Sequence, residues 1–290
     1  MYRTWVEIDE QALISNIKTL RALTPGATFC AVVKANAYGH GLKEVTQIAG
    51  RVGVNAFAVD QLSDALILRE LFPSALILQL GYLMFHEYTD AIRAGIEFTL
   101  YDKEGIAQAE RIAASTASTA LIHLKIETGT SRQGVLAEDL EDLLLEIQRC
   151  KHIHISGIST HFANIEDTGN ADYASQQFAR FTEAIELTNA HGFAPEYIHS
   201  ACSAAILLYP DTHGTLVRAG ISTYGIWPSD SSEQTIRKQN ISCDLRPVLR
   251  WKTRIAQIKS LPVGTPIGYG LTERLKHRSR IAVLPVGYWD

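Results

Sequence analysis

Along the chain, short runs of β-branched and other apolar residues alternate with longer stretches in which apolar positions recur every three or four residues. The strand-like runs are Thr28–Ala35, Ala56–Asp60, Ala75–Gly81, Glu97–Asp102, Ala120–Glu127, His154–Phe162, Tyr197–Cys202 and Thr215–Gly220. Between them the helical period predicts helices over Gly41–Val52, Gln61–Leu71, Lys103–Ala114, Ala137–Cys150 and Ala171–His191. Strands alternating with helices in this way predict parallel β/α units. Eight such units predict an α/β fold closed as a (β/α)8 TIM barrel. A further helix precedes the first unit, with Asp9 as its N-cap and Ala12, Leu13, Ile17, Leu20 and Leu23 at helical spacing.

Past about residue 235 the texture changes. Val248–Ile258, Thr265–Tyr269 and Ile281–Tyr288 read as strands joined by turns, with no helical period between them. The expected organisation is a barrel over residues 1–235, followed by the incomplete start of an all-β C-terminal domain over residues 236–290. The polar, turn-rich stretch Pro228–Gln239 is the expected linker.

Composition narrows the function classes. With 46% apolar and 20% charged residues in a chain of 290, this is globular composition and not that of a disordered chain. A net charge of −4 gives no positive field with which to hold a nucleic acid. No run approaches the ~18 apolar residues of a membrane span, and the start MYRTWVEIDEQ has no secretory pattern. Cys30, Cys150, Cys202 and Cys243 are scattered without zinc spacing, which reads as free thiols in a reducing compartment.

In barrels of this type chemistry collects at the C-terminal ends of the strands. Lys34 ends the first predicted strand; it either snorkels to the rim or serves as a Schiff-base lysine. Lys125 ends the fifth strand with Arg132 just beyond it, His161 ends the sixth, Cys202 ends the seventh with Ser203 next, and Arg218 ends the eighth. This set is rich in cations, and a helix N-terminus after Ser203 suits a phosphate. For Arg218 a rim salt bridge is the plainer reading, and for Cys202 a small buried thiol. His123 reads as a packed strand residue, Asp60 and Asp102 as helix caps, and Trp5, Trp227 and Trp251 as packing residues. His152 and His154 share one strand face, but no third ligand is placed to make a metal site.

Seven segments in order resemble the motifs of alanine racemases. AVVKANAYGHG, residues 31–41, resembles the family's pyridoxal-phosphate lysine motif nearly letter for letter. KIETGTSRQG, STHFAN, HSACSAA, VRAGISTYGIWPS, IGYG and PVGYWD resemble the later ones, and the resemblance runs from about residue 4 to the end of the chain. It implies the barrel-plus-β-domain fold and the racemisation of L-alanine to D-alanine for peptidoglycan. It further implies a cytoplasmic homodimer with shared sites, with alanine as substrate and neither nucleic acid nor membrane as partner.

Carried over residue by residue, the resemblance makes Lys34 the Schiff-base partner of pyridoxal 5'-phosphate and one of two catalytic bases. Tyr269 is the second base, reaching into the partner's site. Tyr38, Ser203, Gly220 and Ile221 hold the phosphate, with Cys202 beside them. His161 lies against the pyridine ring, Arg132 by the phenolic oxygen and Arg218 at the ring nitrogen. Lys125 matches a lysine that is carbamylated in some members. A free lysine titrates about 3.4 units above neutral pH, a handicap of about 4.6 kcal/mol for the neutral amine. Burial and nearby cations lower that handicap. Tyr269 needs about 4 kcal/mol to reach the phenolate, and His161 and the arginines are the expected sources of positive charge. Arg218 only donates hydrogen bonds, so a ring nitrogen facing it stays unprotonated, which makes a weaker electron sink with fewer side reactions.

The chain departs from the family in three places. Cys202 stands for asparagine, Glu127 for aspartate, and Thr130 with Ser131 for a Met-Gly pair. Relative to the family the chain is C-terminally truncated. It lacks a Met-Asp pair and a further tyrosine that the family's β domain gives to the partner's site. The alternative expectation is therefore a non-catalytic or impaired pyridoxal-phosphate-binding barrel, a fragment or a cofactor-homeostasis protein.

Overall fold

A computed structural model of the chain describes residues 2–288. Trp289 and Asp290, which end the PVGYWD segment, lie outside the described residues. The chain divides into two compact units: one runs Glu10–Val248, and the other gathers the chain up to Asp9 and from Leu249 onward. The first strand, Thr4–Ile8 (β1), belongs to the smaller unit.

The larger unit is a nearly closed barrel of eight parallel strands. They are Thr28–Val32 (β2), Ala56–Val59 (β3), Leu76–Gln79 (β4), Glu97–Leu100 (β5), Ala120–Lys125 (β6), Ile153–Ser159 (β7), Tyr197–His199 (β8) and Leu216–Ala219 (β9). Each pairs with its chain neighbour from β2 to β8, and β9 returns to pair with β2. The seam between β8 and β9 is thin. The Thr215 N–H donates to Ile198 O and the Arg218 N–H to Ala201 O, both at 3.0 Å. Gly214 turns into this seam with φ 63°, and a Cβ there would fall 2.2 Å from Ile198 O, so no other residue passes. All eight strands lie where apolar runs predicted them. Most stop two or three residues short, because the polar residues that follow turn out to form the mouth.

Helices Glu10–Ala22 (α1), Lys34–Tyr38 (α2), Leu42–Arg51 (α3), Leu62–Leu71 (α4), Tyr88–Arg93 (α5), Lys103–Ser115 (α6), Ala137–Arg149 (α7), Asp172–Ala190 (α8), Ser203–Leu208 (α9) and Asp230–Lys238 (α10) complete this unit. Asp102 caps α6 as expected, accepting from the Gly105 N–H at 2.7 Å. Asp60 does not cap α4, whose N-cap position is Gln61; its side chain faces the mouth instead. The expected linker is also corrected: α10 fills most of Pro228–Gln239 and runs across the 235/236 division. Ser229 caps it by accepting from the Ser232 N–H, Ile236 is its buried contact, and Glu233 pairs with Arg237 one turn on. A single apolar residue in nine gives no period to read.

The barrel interior has two characters. Cys30, Val32, Ala56, Ala58, Leu78 and Leu216 form an apolar cluster from β2, β3, β4 and β9. The strands β5 to β8 instead carry the buried Thr99, His123, Ser159 and His199 and the half-buried Glu97 and Lys125.

In the smaller unit β1 pairs antiparallel with Leu249–Thr253 (β10), from Thr4 opposite Thr253 to Ile8 opposite Leu249. Gln257–Leu261 (β11) pairs with Ser279–Val283 (β14), and Pro266–Ile267 (β12) with Glu273–Arg274 (β13). The lateral pairing of the chain's start with its last fifth joins segments some 245 residues apart, which no local pattern announces.

Candidate active site

The C-terminal mouth of the barrel opens into a cleft of about 610 Å³, within the size range of small-molecule sites. Lys34, Tyr38, Lys125, Arg132, His161, Cys202, Ser203, Arg218, Gly220 and Ile221 all line it. Tyr269 belongs to the other unit, where it is fully exposed in the turn after Gly268. Tyr82, Thr99 and Ser159, which the sequence pattern does not single out, also face the cleft, as does Asp60, expected as a helix cap.

Lys34 and Tyr38 are brought together by an unusual turn. Ala35, Asn36, Ala37 and Tyr38 all have φ near +53°, so α2 is a left-handed helical turn built of L-residues. That conformation costs about 1–2 kcal/mol per residue, because each Cβ crowds the following carbonyl. Local hydrogen bonds offset the cost. The Ala37 N–H donates to Val33 O at 2.8 Å, and Asn36 Oδ1 accepts from the Leu42 N–H at 2.9 Å, which caps α3. His40 Nδ1 donates to Ala37 O and Tyr38 O, both at 3.1 Å. The turn reverses the chain at the end of β2 and leaves residues four apart facing one cleft. Burial pushes the Tyr38 phenol above its ordinary pKa, with Asp60 and Cys202 adding to it, so its hydroxyl stays a donor.

Ser203 Oγ accepts from the Gly220 N–H at 3.1 Å and the Ser222 N–H at 3.3 Å. A Cβ at Gly220 would sit 3.2 Å from Tyr38 Oη and 3.7 Å from Ser203 Oγ. The result is a small concavity of hydroxyls and backbone N–H groups that a side chain would fill.

Arg218 is buried, and its guanidinium bridges the seam of the barrel. It donates to His199 O at 2.7 Å, Ser200 O at 3.1 Å and Thr160 O at 2.7 Å, and also to His199 Nδ1. Burial lowers its pKa to about 10, which leaves it charged at neutral pH. It is not a rim salt bridge. Lys125 is half-buried, and desolvation, then Arg218 and Arg132, hold its pKa well below the lysine range.

One face of α8 clamps the two loops that carry Arg132 and His161. Tyr173 donates to Gly129 O at 2.8 Å, Arg180 to Thr128 O at 2.9 Å, and Gln177 to His161 O at 3.2 Å. Glu127 shapes the first loop from within by accepting from the N–H groups of Gly129 and Arg132 and from the Thr130 hydroxyl. Burial opposes its charge, but these donors outweigh burial and hold the carboxyl below its usual pKa.

His161 corrects an expectation. Burial, then Arg218, Lys125, Arg132 and Lys34, press its pKa down to about 2, so it supplies no positive charge and the arginines must. The unfolded value, 6.5, lies above the folded one. Neutral His161 therefore contributes stability that is full above pH 6.5 and lost as pH falls below it. Between pH 7 and pH 5 the wild-type chain is expected to lose about 2 kcal/mol more stability than His161→Gln. Urea unfolding of both at the two pH values checks this.

A family profile described as alanine racemase, N-terminal domain, matches residues 8–228, and one described as alanine racemase, C-terminal domain, matches residues 248–290. The chain is 36% identical over 288 residues to an alanine racemase of Methanococcus maripaludis, covering 99% of this chain and 75% of that one. It is 33% identical over 291 residues to one of Leptospira interrogans, covering 100% and 74%. The crystal structure of alanine racemase from Streptomyces lavendulae superposes with a TM-score of 0.91 at 28% identity, covering 99% of this chain and 75% of that one. The chain belongs to the alanine racemase family of isomerases.

Proposed function

We propose that this chain binds pyridoxal 5'-phosphate in the barrel mouth and interconverts L- and D-alanine with two bases, Lys34 and Tyr269. It acts as a homodimer in the cytoplasm and supplies D-alanine for peptidoglycan. The observation that carries the reading is the meeting of Lys34, Tyr38, Arg132, Arg218 and the Ser203–Gly220 concavity in one cleft. The cleft fits the cofactor. The concavity suits a phosphate, the cations suit its charge, and the buried Ser159 Oγ, without a partner among the described residues, faces the same space.

Bound there, the cofactor supplies the electron sink that an α-proton needs in order to leave. Lys34 anchors it and moves the α-proton on one face, while Tyr269, contributed across the dimer, moves it on the other. Arg218 would offer the ring nitrogen N–H groups only. Tyr38, Ser203 and the backbone at Gly220 and Ile221 would hold the phosphate, neutral His161 would face the ring, and Arg132 would pair the phenolic oxygen. Cys202 leaves a weaker hydrogen-bond partner than an amide at its position. In its amine form Lys125 adds carbon dioxide and gives one N–H proton to water, forming a carbamate anion that pairs Arg132. With carbon-13 bicarbonate, a carbamate carbon signal is expected that Lys125→Ala loses.

The test is a visible absorption band on adding pyridoxal phosphate, together with α-proton exchange of alanine in heavy water followed by NMR. Tyr269→Phe is expected to slow exchange from the L-isomer more than from the D-isomer. Equal slowing would argue against two bases. A band with no exchange at all would replace the racemase reading with a non-catalytic cofactor-binding barrel.

A further inference from the structure

The buried side of the barrel opposite the apolar cluster holds a continuous line of hydrogen bonds. From Arg218 it runs to His199 Nδ1, from His199 Nε2 to His123 Nδ1 at 2.7 Å, and from His123 Nε2 to Glu97 Oε2 at 2.8 Å. Arg218 lies on β9 under the cleft, whereas Glu97 begins β5 at the opposite end of the barrel, where 14% of its side chain is exposed. His123 and His199 are fully buried.

The direction of this line is not free. A guanidinium has no acceptor, so His199 Nδ1 must accept. Burial, then Arg218, hold His199 neutral, and its one proton therefore sits on Nε2 and is given to His123 Nδ1. His123 then gives its Nε2 proton to the Glu97 carboxylate, which only accepts. Each donor faces one acceptor, and reversing any one link sets a donor against a donor at Arg218.

The surrounding backbone is built for this line. The pairing of β6 with β7 slips between Ile122 and His123, so that His123 stands beside Gly157. A Cβ at Gly157 would fall 2.3 Å from His123 Nδ1, and only glycine leaves the imidazole its place. Tyr197 stacks on His123 at 5.8 Å between ring centres and 6° between planes. The ring is fixed by packing on its face and by hydrogen bonds at both nitrogens.

We propose that Glu97, acting through His123 and His199, is a positioning residue for Arg218: the carboxylate sets one proton order along the line and so keeps the guanidinium turned to the cleft. The step from Arg218 to the cofactor ring rests on the proposed function, but the proton order does not.

Histidine nitrogen-15 NMR of the full chain without cofactor reads the order directly. In the wild type, His123 and His199 are both expected to carry the proton on Nε2 with a bare Nδ1. A proton on Nδ1 of either ring would overturn the proposal with no variant needed. Glu97→Gln, nearly isosteric, offers His123 both a donor and an acceptor, so the reversed order is no longer barred from the Glu97 end; a fraction of both rings is expected to carry the proton on Nδ1, at the cost of the Arg218–His199 bond. With pyridoxal phosphate added, the same variant is expected to shift the visible band and to weaken binding about 2- to 30-fold. Unchanged nitrogen patterns and unchanged affinity in Glu97→Gln would show that Glu97 does not order the line. Absence of any band in the wild type would instead count against the cofactor reading and leave the nitrogen result standing.

Discussion

Lys34→Ala is expected to remove the visible band of the bound cofactor entirely and to abolish racemisation in both directions. Losing a positioned base alone slows a proton transfer by about 10²–10⁴-fold, and the covalent anchor is lost with it. The barrel should survive, because Lys34 stands at the rim of the cleft and, among the described residues, makes no side-chain hydrogen bond that holds a strand. Melting curves of the unloaded variant should therefore overlay those of the wild type while absorbance and exchange vanish. Persistence of the band would end the cofactor reading. Mixing Lys34→Ala with Tyr269→Phe separates shared sites from private ones. If Tyr269 serves the partner's cleft, mixed dimers carry one intact site and exchange returns; if each chain works alone, none does.

Arg218→Ala is expected to cost about 3–5 kcal/mol of stability before any cofactor is added. The guanidinium satisfies the carbonyls of Thr160 after β7 and of His199 and Ser200 at β8, and one nitrogen of His199, beside the seam where β8 meets β9 with few backbone bonds of its own. Alanine leaves those acceptors unpaired away from water, each a desolvation cost with nothing to offset it. Urea unfolding of the unloaded chain measures the loss. Arg218→Lys should recover only part of it, since an ammonium keeps the charge but lacks the planar fork that reaches three carbonyls at once. A loss below about 1 kcal/mol for alanine would mean that water enters the seam and replaces the side chain.

Much of the barrel was legible because parallel strands covered on both faces write themselves as unbroken apolar runs. The helices with a full amphipathic period, α3, α4, α6, α7 and α8, were legible for the same kind of reason. Where burial involves few residues the sequence is silent: α10 buries only Ile236 and Ser232. The cleft residues stood out as polar side chains at strand ends. What lay beneath them did not. His123 reads as a packed residue, which it is, but its partners Glu97 and His199 come from strands that the chain separates by up to 102 residues. A faint signal was present in the alternation of Glu97 with Thr99, His123 with Lys125, and Tyr197 with His199. Polar residues two apart on three inward-facing strands cannot all be turned to solvent. The left-handed turn at Ala35–Tyr38 gave no sign, since alanine and tyrosine are ordinary right-handed residues elsewhere.

The glycine beside His123 limits the order in which this sequence can change. No side chain can enter at Gly157 while the imidazole stands 2.3 Å from where its Cβ would be. Yet replacing His123 first leaves the buried His199 Nε2 without its acceptor and takes from Glu97 its His123 donor. Glu97, His123, Gly157 and His199 thus form a ratchet. Each forbids the single step that would free the next, and the four positions drift together or stay.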